Sequence, residues 1–312
     1  MEFVTLGRTG LEVSVAGLGC GGHSRLGLAT GKDEKHAAAI VTAALGLGIN
    51  FIDTARAYGT ERAVGAAIKG RRDQVILSSK ASPGWGDELL SAAGLRESLE
   101  KSLVRLGTDC IDVFHLHGVT AAQYPHCVAE LVPELKRQRD AGKIRFLGIT
   151  ERFVSDTSHE MLAAALPDDH FDVVMVGHNL LNPSARKRVF PLTMQKQVGT
   201  LIMFAVRRAL THPDAARSVL EQLTEAGQVA AADTDAQAPL AFIVDHPEVA
   251  SLIEAAYRFC RHEAGTHVVL TGTGSVAHLE ENVAAILAPP LPPDLTNRLE
   301  QIFGRVDSVS GN

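Results

Sequence analysis

Phe51-Ile52-Asp53-Thr54-Ala55-Arg56-Ala57-Tyr58-Gly59 decides how the rest of the chain is read. Ile49, Phe51 and Ile52 form a short apolar run that ends on a carboxylate. A phenol follows five residues later, on a turn. Gly59 and Thr60 then open a helix, with Thr60 in the N-cap position. Asp53 is therefore expected at the C-terminal end of a buried strand, with Tyr58 on the loop beyond it. That end of a strand is where barrel enzymes carry their chemistry. Taken alone, the pair has a plainer reading, as a turn carboxylate and a packed aromatic.

Two further strands change the weighing. Val75 to Lys80 is an apolar run ending on a lysine, and Ile111 to Gly118 one ending on His117. From Leu6-Gly7-Arg8-Thr9-Gly10 to about Asn282 the chain resembles the aldo-keto reductase family. The resemblance rests on the D-x-x-x-x-Y-G motif, the strand-end lysine and the strand-end histidine, in that order. It implies that Asp53, Tyr58, Lys80 and His117 form a catalytic tetrad. His115 shares the strand parity of His117 and is expected one layer deeper, as a structural residue.

Eight strands can be counted from Val15: Val15–Gly19, the run before Asp53, Val75–Lys80, Ile111–Gly118, Phe146–Ile149, Val173–Val176, Leu201–Phe204 and His267–Leu270. Helical stretches alternate with them, such as Lys32 to Leu47, Glu61 to Ile68, and the Leu95, Leu99, Leu103, Leu106 series closed by Gly107. The expected fold class is α/β, a (β/α)8 TIM barrel with an N-terminal β-hairpin over residues 3–13 and a C-terminal helix over Asp294–Phe303. An open doubly wound sheet is the alternative. Residues 1–312 show no composition break and read as one domain. Gln228 to Pro239 reads as a loop, Pro239 to His262 as one or two helices, and Ser308 to Asn312 as a fraying end.

Gly17-Leu18-Gly19-Cys20-Gly21-Gly22 is not taken as a Rossmann fingerprint. No helix opens on its last glycine, because His23 to Gly31 is more loop. The 312 residues are 46% hydrophobic and carry a net charge of −6, which argues against nucleic acid as a partner. No apolar run reaches membrane-spanning length and no signal peptide is visible, so a cytoplasmic protein is expected. Cys20, Cys110, Cys127 and Cys260 form no C-x-x-C pair, and no metal site is expected.

The resemblance also implies an extended NAD(P)H held by the last four strands. Strand five ends in Thr150-Glu151, where the family has Ser-Asn on the carboxamide. Met175 and His178 stand for the family's glutamine and nicotinamide-stacking tyrosine, and Asn179 adds a polar group. Phe204, Ala205, Val206, Arg207 and Arg208 replace Tyr-Ser-Pro-Leu; a guanidinium suits phosphate geometry, so the two arginines can face the pyrophosphate, with a basic helix start as the other reading of Arg208. Gly272, Thr273, Gly274 and Ser275 form a glycine-rich loop after strand eight, and Glu281 and Asn282 match the family's adenine contacts. His278 stands where relatives that prefer the phosphorylated cofactor carry an arginine, so NAD(H) is expected to serve at least as well as NADP(H). Cys20, Gly21 and Trp85 are expected on the substrate side. The expected reaction is interconversion of a carbonyl and an alcohol, with Tyr58 as proton donor and Lys80 lowering its pKa. Two other readings stay open: a Schiff-base aldolase using Lys80, and a dinucleotide-binding regulatory module with little turnover.

Overall fold

The computed structural model describes residues 1–86, 88–235 and 237–312, with the main chain alone at Trp85. Eight parallel strands close into a barrel: β1 (Ala16–Gly19), β2 (Phe51–Asp53), β3 (Ile76–Ala81), β4 (Ile111–Val119), β5 (Ile144–Glu151), β6 (Val173–Gly177), β7 (Gly199–Met203) and β8 (Val268–Thr271). Each strand pairs with the next in sequence, and β8 pairs with β1, so no edge remains. The closed (β/α)8 reading thus holds, and the open sheet does not.

Alternation along the strands sorts the core into two parts. Phe51, Val113, Val173, Met175, Leu201 and Val268 point inward and fill the lower barrel. Ile52, Leu77, Phe114, Leu116, Ile149, Val174, Val176, Ile202 and Val269 point outward against the helices. The hairpin Phe3–Thr5 with Glu12–Ser14 sends Leu6, Leu11 and Val13 into the inward cluster and plugs the N-terminal end. The opposite end, at the C-termini of the strands, opens into a cleft.

The helices follow the apolar periodicity: α1 (Glu34–Gly46), α2 (Glu61–Ile68), α3 (Ala92–Leu106), and near the end α4 (Val276–Leu287) and α5 (Pro293–Phe303). Residues 239–262 hold two helices, Ala241–Val244 and Leu252–Arg261. Pro213–Glu225 is a further helix that the periodicity reading passed over. Thr60 does not cap α2 through its side chain. Its hydroxyl instead meets that of Thr54 at 2.8 Å, both groups buried, and pins the base of the Tyr58 loop.

The end of the chain does not fray. Asn182 Nδ2 donates to Val309 O, Asn179 Nδ2 to Ser310 O, and Ala209 N to Gly311 O. These bonds strap the tail beside the ends of β6 and β7. No helix among the described residues is long and apolar enough to cross a membrane.

Candidate active site

The four tetrad residues converge at the open end of the barrel. Phe51 and Asp53 share the inward parity of β2, as Ser78 and Lys80 do in β3 and His115 and His117 in β4. Lys80 is fully buried, and its Nζ lies 2.6 Å from both carboxylate oxygens of Asp53 and 2.9 Å from Thr54 O. Ser78 Oγ donates to Asp53 Oδ1 at 2.7 Å. A buried ion pair of this kind is held by the completeness of its hydrogen bonds. Burial alone would lower the lysine pKa; Asp53 and Tyr58 outweigh it and hold the ammonium above its ordinary value.

Tyr58 ends a 3-10 turn, Arg56–Tyr58, above this pair. Lys80 Nζ is 5.0 Å from its ring centroid, and its hydroxyl lies 3.2 Å from His117 Nε2. Lys80 does pull the phenol's pKa down, as expected. Burial outweighs it, with Asp53 adding to the rise, so the phenol sits above its ordinary value. The lysine limits the rise without reversing it. His117 is pushed down to about 3 by burial, Lys80 and Arg152, so its imidazole is neutral. His115 lies one layer deeper and is fully buried, and burial with Lys80 and His117 holds its pKa well below its ordinary value.

The tetrad opens into a cleft of about 1740 Å³ that runs across the ends of β5 to β8 to α4. Thr150, Phe204, Ala205, Val206, Arg207, Arg208, Gly272, Thr273, His278, Glu281 and Asn282 border it, as does Gly21. Met175 forms part of its floor. Thr150 Oγ1 accepts from Gly118 N at 2.7 Å. Asn282 Nδ2 donates to Thr271 Oγ1. Phe204 sits at φ 68, an uncommon conformation for a large side chain. Asn179 Nδ2 donates to its carbonyl and helps to hold it there.

Several expected contacts are not made. The Glu151 carboxylate faces away from the cleft, accepting from Gly177 N and bonding His159 Nδ1 at 2.9 Å, while His159 Nε2 meets Ser184 Oγ at 3.0 Å. His178 is fully buried, stacked on Phe259 and set edge-on to Phe190, and does not border the cleft. Cys20 is also fully buried beneath the site and outside the cleft. Gly274 packs against Gly27, and Ser275 accepts from His278 N as the cap of α4; neither borders the cleft. Asn179 is taken up by Phe204 O, Ser310 O and its own turn, so it offers no ligand contact. The Trp85 side chain lies outside the described residues.

Sequence reading missed Arg152 and Phe153, which border the cleft beside His117 and Phe204. Their signal was position alone, directly after a strand end. Two glycines are set by close approach. A Cβ on Gly21 would lie 2.7 Å from Tyr58 Cζ, and one on Gly272 2.7 Å from Gly19 O. Gly21 therefore seats the phenol as well as shaping the mouth. Gly21→Ala is expected to displace the ring and lower carbonyl-reduction kcat by roughly a hundredfold with the fold intact. Unchanged kcat, in steady-state assays with a matching circular dichroism spectrum, would show that the ring position is not set here.

The lining residues bear on the fit of a nicotinamide dinucleotide. A Cβ at Gly272 would close the approach of the eighth-strand loop to β1. Arg207 Nε is buried with no hydrogen-bond partner among the described residues, an orphaned donor in the cleft wall. An elongated cleft with such a donor fits a phosphate-bearing ligand at the β7–β8 end. The carboxamide end keeps Thr150 but lacks the expected side chains of residues 151 and 178.

A closed eight-stranded parallel barrel with its cleft at the strand C-termini is the architecture against which known proteins were compared. Residues 17–303 match the family model described as "Aldo/keto reductase family". The chain belongs to that family. It is 34% identical over 221 residues to "Aldo-keto reductase YhdN" of Bacillus subtilis (strain 168), a match covering 67% of this chain and 63% of that one. It is 29% identical over 309 residues to "L-galactose dehydrogenase" of Arabidopsis thaliana, covering 92% and 88%. The solved holo form of aldo-keto reductase AKR11C1 from Bacillus halodurans superposes with a TM-score of 0.73 at 26% identity, covering 96% of each chain.

Proposed function

We propose that this chain, acting as one barrel unit over residues 1–312, is a cytoplasmic NAD(P)-dependent reductase that interconverts an aldehyde, ketone or sugar carbonyl and an alcohol. The observation that carries the reading is the buried Asp53–Lys80 pair beneath Tyr58 and His117 at the mouth of the cleft. Membership of the aldo/keto reductase family supports it. Four free cysteines suit a reducing compartment.

A reduced nicotinamide, when bound, supplies the hydride. Thr150, Phe204, Ala205, Val206 and Arg207, with Gly272, Thr273, His278, Glu281 and Asn282, border the space that would hold the dinucleotide. The protein supplies the rest. The substrate oxygen is received between Tyr58 Oη and His117 Nε2. Neutral His117 donates one hydrogen bond and orients the carbonyl. Tyr58 gives its phenolic proton to the oxygen as charge develops there. The Lys80 ammonium steadies the phenolate that remains, and Asp53 keeps Lys80 charged in a buried place. Solvent returns the proton to Tyr58. The same pairing weighs against the aldolase reading, because a Schiff-base lysine must be neutral and accessible, whereas Lys80 is buried and held charged.

Two outcomes follow. The phenol is raised above its ordinary value and so keeps its proton until strongly alkaline pH. His117, pushed down to about 3, stays neutral above mildly acidic pH. Reduction kcat/KM is therefore expected to stay level from about pH 5 to about pH 9 and to fall only as Tyr58 deprotonates. A step near neutrality in the pH–rate profile would assign the proton to a different group.

The second outcome concerns cofactor choice. His278, exposed at the cleft edge, lacks arginine's two-pronged grip on a 2′-phosphate. Losing one charge-assisted bond removes about 1.5–3 kcal/mol of preference for the phosphorylated form, so NAD(H) should serve at least as well as NADP(H). A spectrophotometric panel of aldehydes, ketones and sugars with both cofactors tests the function and this preference together. Binding without turnover across the panel would favour a regulatory module, a reading to which the averted Glu151 and His178 lend support.

A further inference from the structure

The loop that leaves β1, residues 20–31, stands between the tetrad and the glycine-rich loop after β8. At its first end Cys20 N donates to Asp53 O at 2.8 Å, and Gly21 packs against the Tyr58 ring, where a Cβ would lie 2.7 Å from Cζ. At its far end Gly27 packs on Gly274, main chain against main chain. A Cβ on Gly274 would lie 2.9 Å from both Gly27 Cα and Gly27 N. Just before that contact, Arg25 and Leu26 sit at φ 47 and 58, and Leu26 is fully buried. Two successive left-handed residues with side chains persist only where their surroundings hold them.

His36 supplies that hold. It is the third residue of α1, and its main chain is fixed by a 2.9 Å bond from His36 N to Asp33 Oδ1. Its ring lies against Gly27, where a Cβ would be 2.9 Å from His36 Cδ2. Its Nε2 lies 2.8 Å from Gly274 O. A carbonyl only accepts, so Nε2 carries the hydrogen and donates. One side chain thus crosses the β1 loop and grips the β8 loop, whose Gly272 and Thr273 border the cleft. His36 itself does not border the cleft, and the mechanism above gives it no part.

We propose that His36 is a positioning residue of the site: by tying Gly274 to the β1 loop across Gly27, it sets, through Gly21, where the Tyr58 ring stands. The seat of the proton donor and the β8 loop, where barrels commonly bind phosphate, then move as one unit. A change at either end is felt at the other. The proposal rests on the reductase reading for the role of Tyr58, and on the loop contacts alone for the coupling.

Fluorine NMR of the chain labelled with 3-fluorotyrosine tests it. The sequence has three tyrosines, so Tyr58→Phe assigns the Tyr58 resonance and leaves Tyr124 and Tyr257 as internal references. His36→Leu removes the donor and keeps bulk, whereas His36→Gln restores an amide donor. His36→Leu is expected to move the Tyr58 resonance alone and to weaken ADP-ribose, measured by calorimetry, about tenfold. Carbonyl-reduction kcat should fall about tenfold with little change in carbonyl KM. His36→Gln should return all of these toward the parent. Saturating ADP-ribose should move the same resonance in the unaltered chain, an arm that needs no variant to fold. A Tyr58 resonance unmoved by both His36→Leu and ADP-ribose overturns the proposal. Equal movement of all three resonances also overturns it, because His36 would then be a general support of the fold. So does a His36→Gln chain that behaves as His36→Leu. The His36→Leu resonance needs neither turnover nor a nucleotide, so it decides the coupling even where no carbonyl is reduced.

Discussion

Tyr58→Phe is expected to abolish carbonyl reduction while leaving dinucleotide binding unchanged. The hydroxyl is 3.2 Å from His117 Nε2 and stands over the Lys80 ammonium, and no other phenol reaches that point. Removing it removes the proton donor and changes little else, because the ring that packs over Gly21 is kept. General acid catalysis contributes roughly 10²–10⁴ in rate, and a loss of that order in kcat is the expected result. ADP-ribose affinity, measured by calorimetry, should match the parent. A variant that keeps most of its turnover would transfer the acid role to His117. Since that imidazole is held neutral down to about pH 3, such a result would also require its surroundings to differ from those described.

Lys80→Met should cost both activity and stability, and a second substitution separates the two. Asp53 and Lys80 are buried together, and among the described residues the lysine is the carboxylate's one ion-pair partner. Removing the ammonium leaves Asp53 charged, or forces it to take up a proton, at the buried floor of the cleft. Breaking a buried pair from one side typically costs about 3–5 kcal/mol. The urea midpoint should fall at an unchanged slope. The double variant Asp53→Asn/Lys80→Met removes the stranded charge and should recover most of that stability. It should not recover turnover, because nothing then steadies the Tyr58 phenolate. Recovery of activity in the double variant would show that the pair is structural alone.

What the sequence made legible, and what it did not, follows largely from strand parity. The eight strands were readable from their apolar runs, and Asp53, Lys80 and His117 stood out because each closes one; Tyr58, on a turn, entered through the D-x-x-x-x-Y-G motif of the resembled family. Family likeness set the expectations for Cys20, Glu151 and His178, and alternation contradicts all three. Leu147 and Ile149 point outward, so Glu151 does too; Met175 points inward, so His178 does not; Leu18 points outward, and so does Cys20. The pattern was present in the sequence at each position. The tail was a different matter. Asn179 meets Ser310 across 131 residues of chain, and no local pattern marks such a contact. The direction of the Tyr58 pKa was also out of reach, because it depends on how deeply the loop buries the phenol.

The central claim is hydride transfer to a carbonyl in this cleft, completed by the Tyr58 proton. Mass spectrometry of the alcohol formed from a carbonyl panel with deuterium-labelled reduced nicotinamide tests it most directly. The account predicts one deuterium on the carbinol carbon with the parent chain, and no labelled alcohol with Tyr58→Phe. Labelled cofactor that binds the parent and is recovered intact, with no labelled alcohol from any carbonyl, would contradict it.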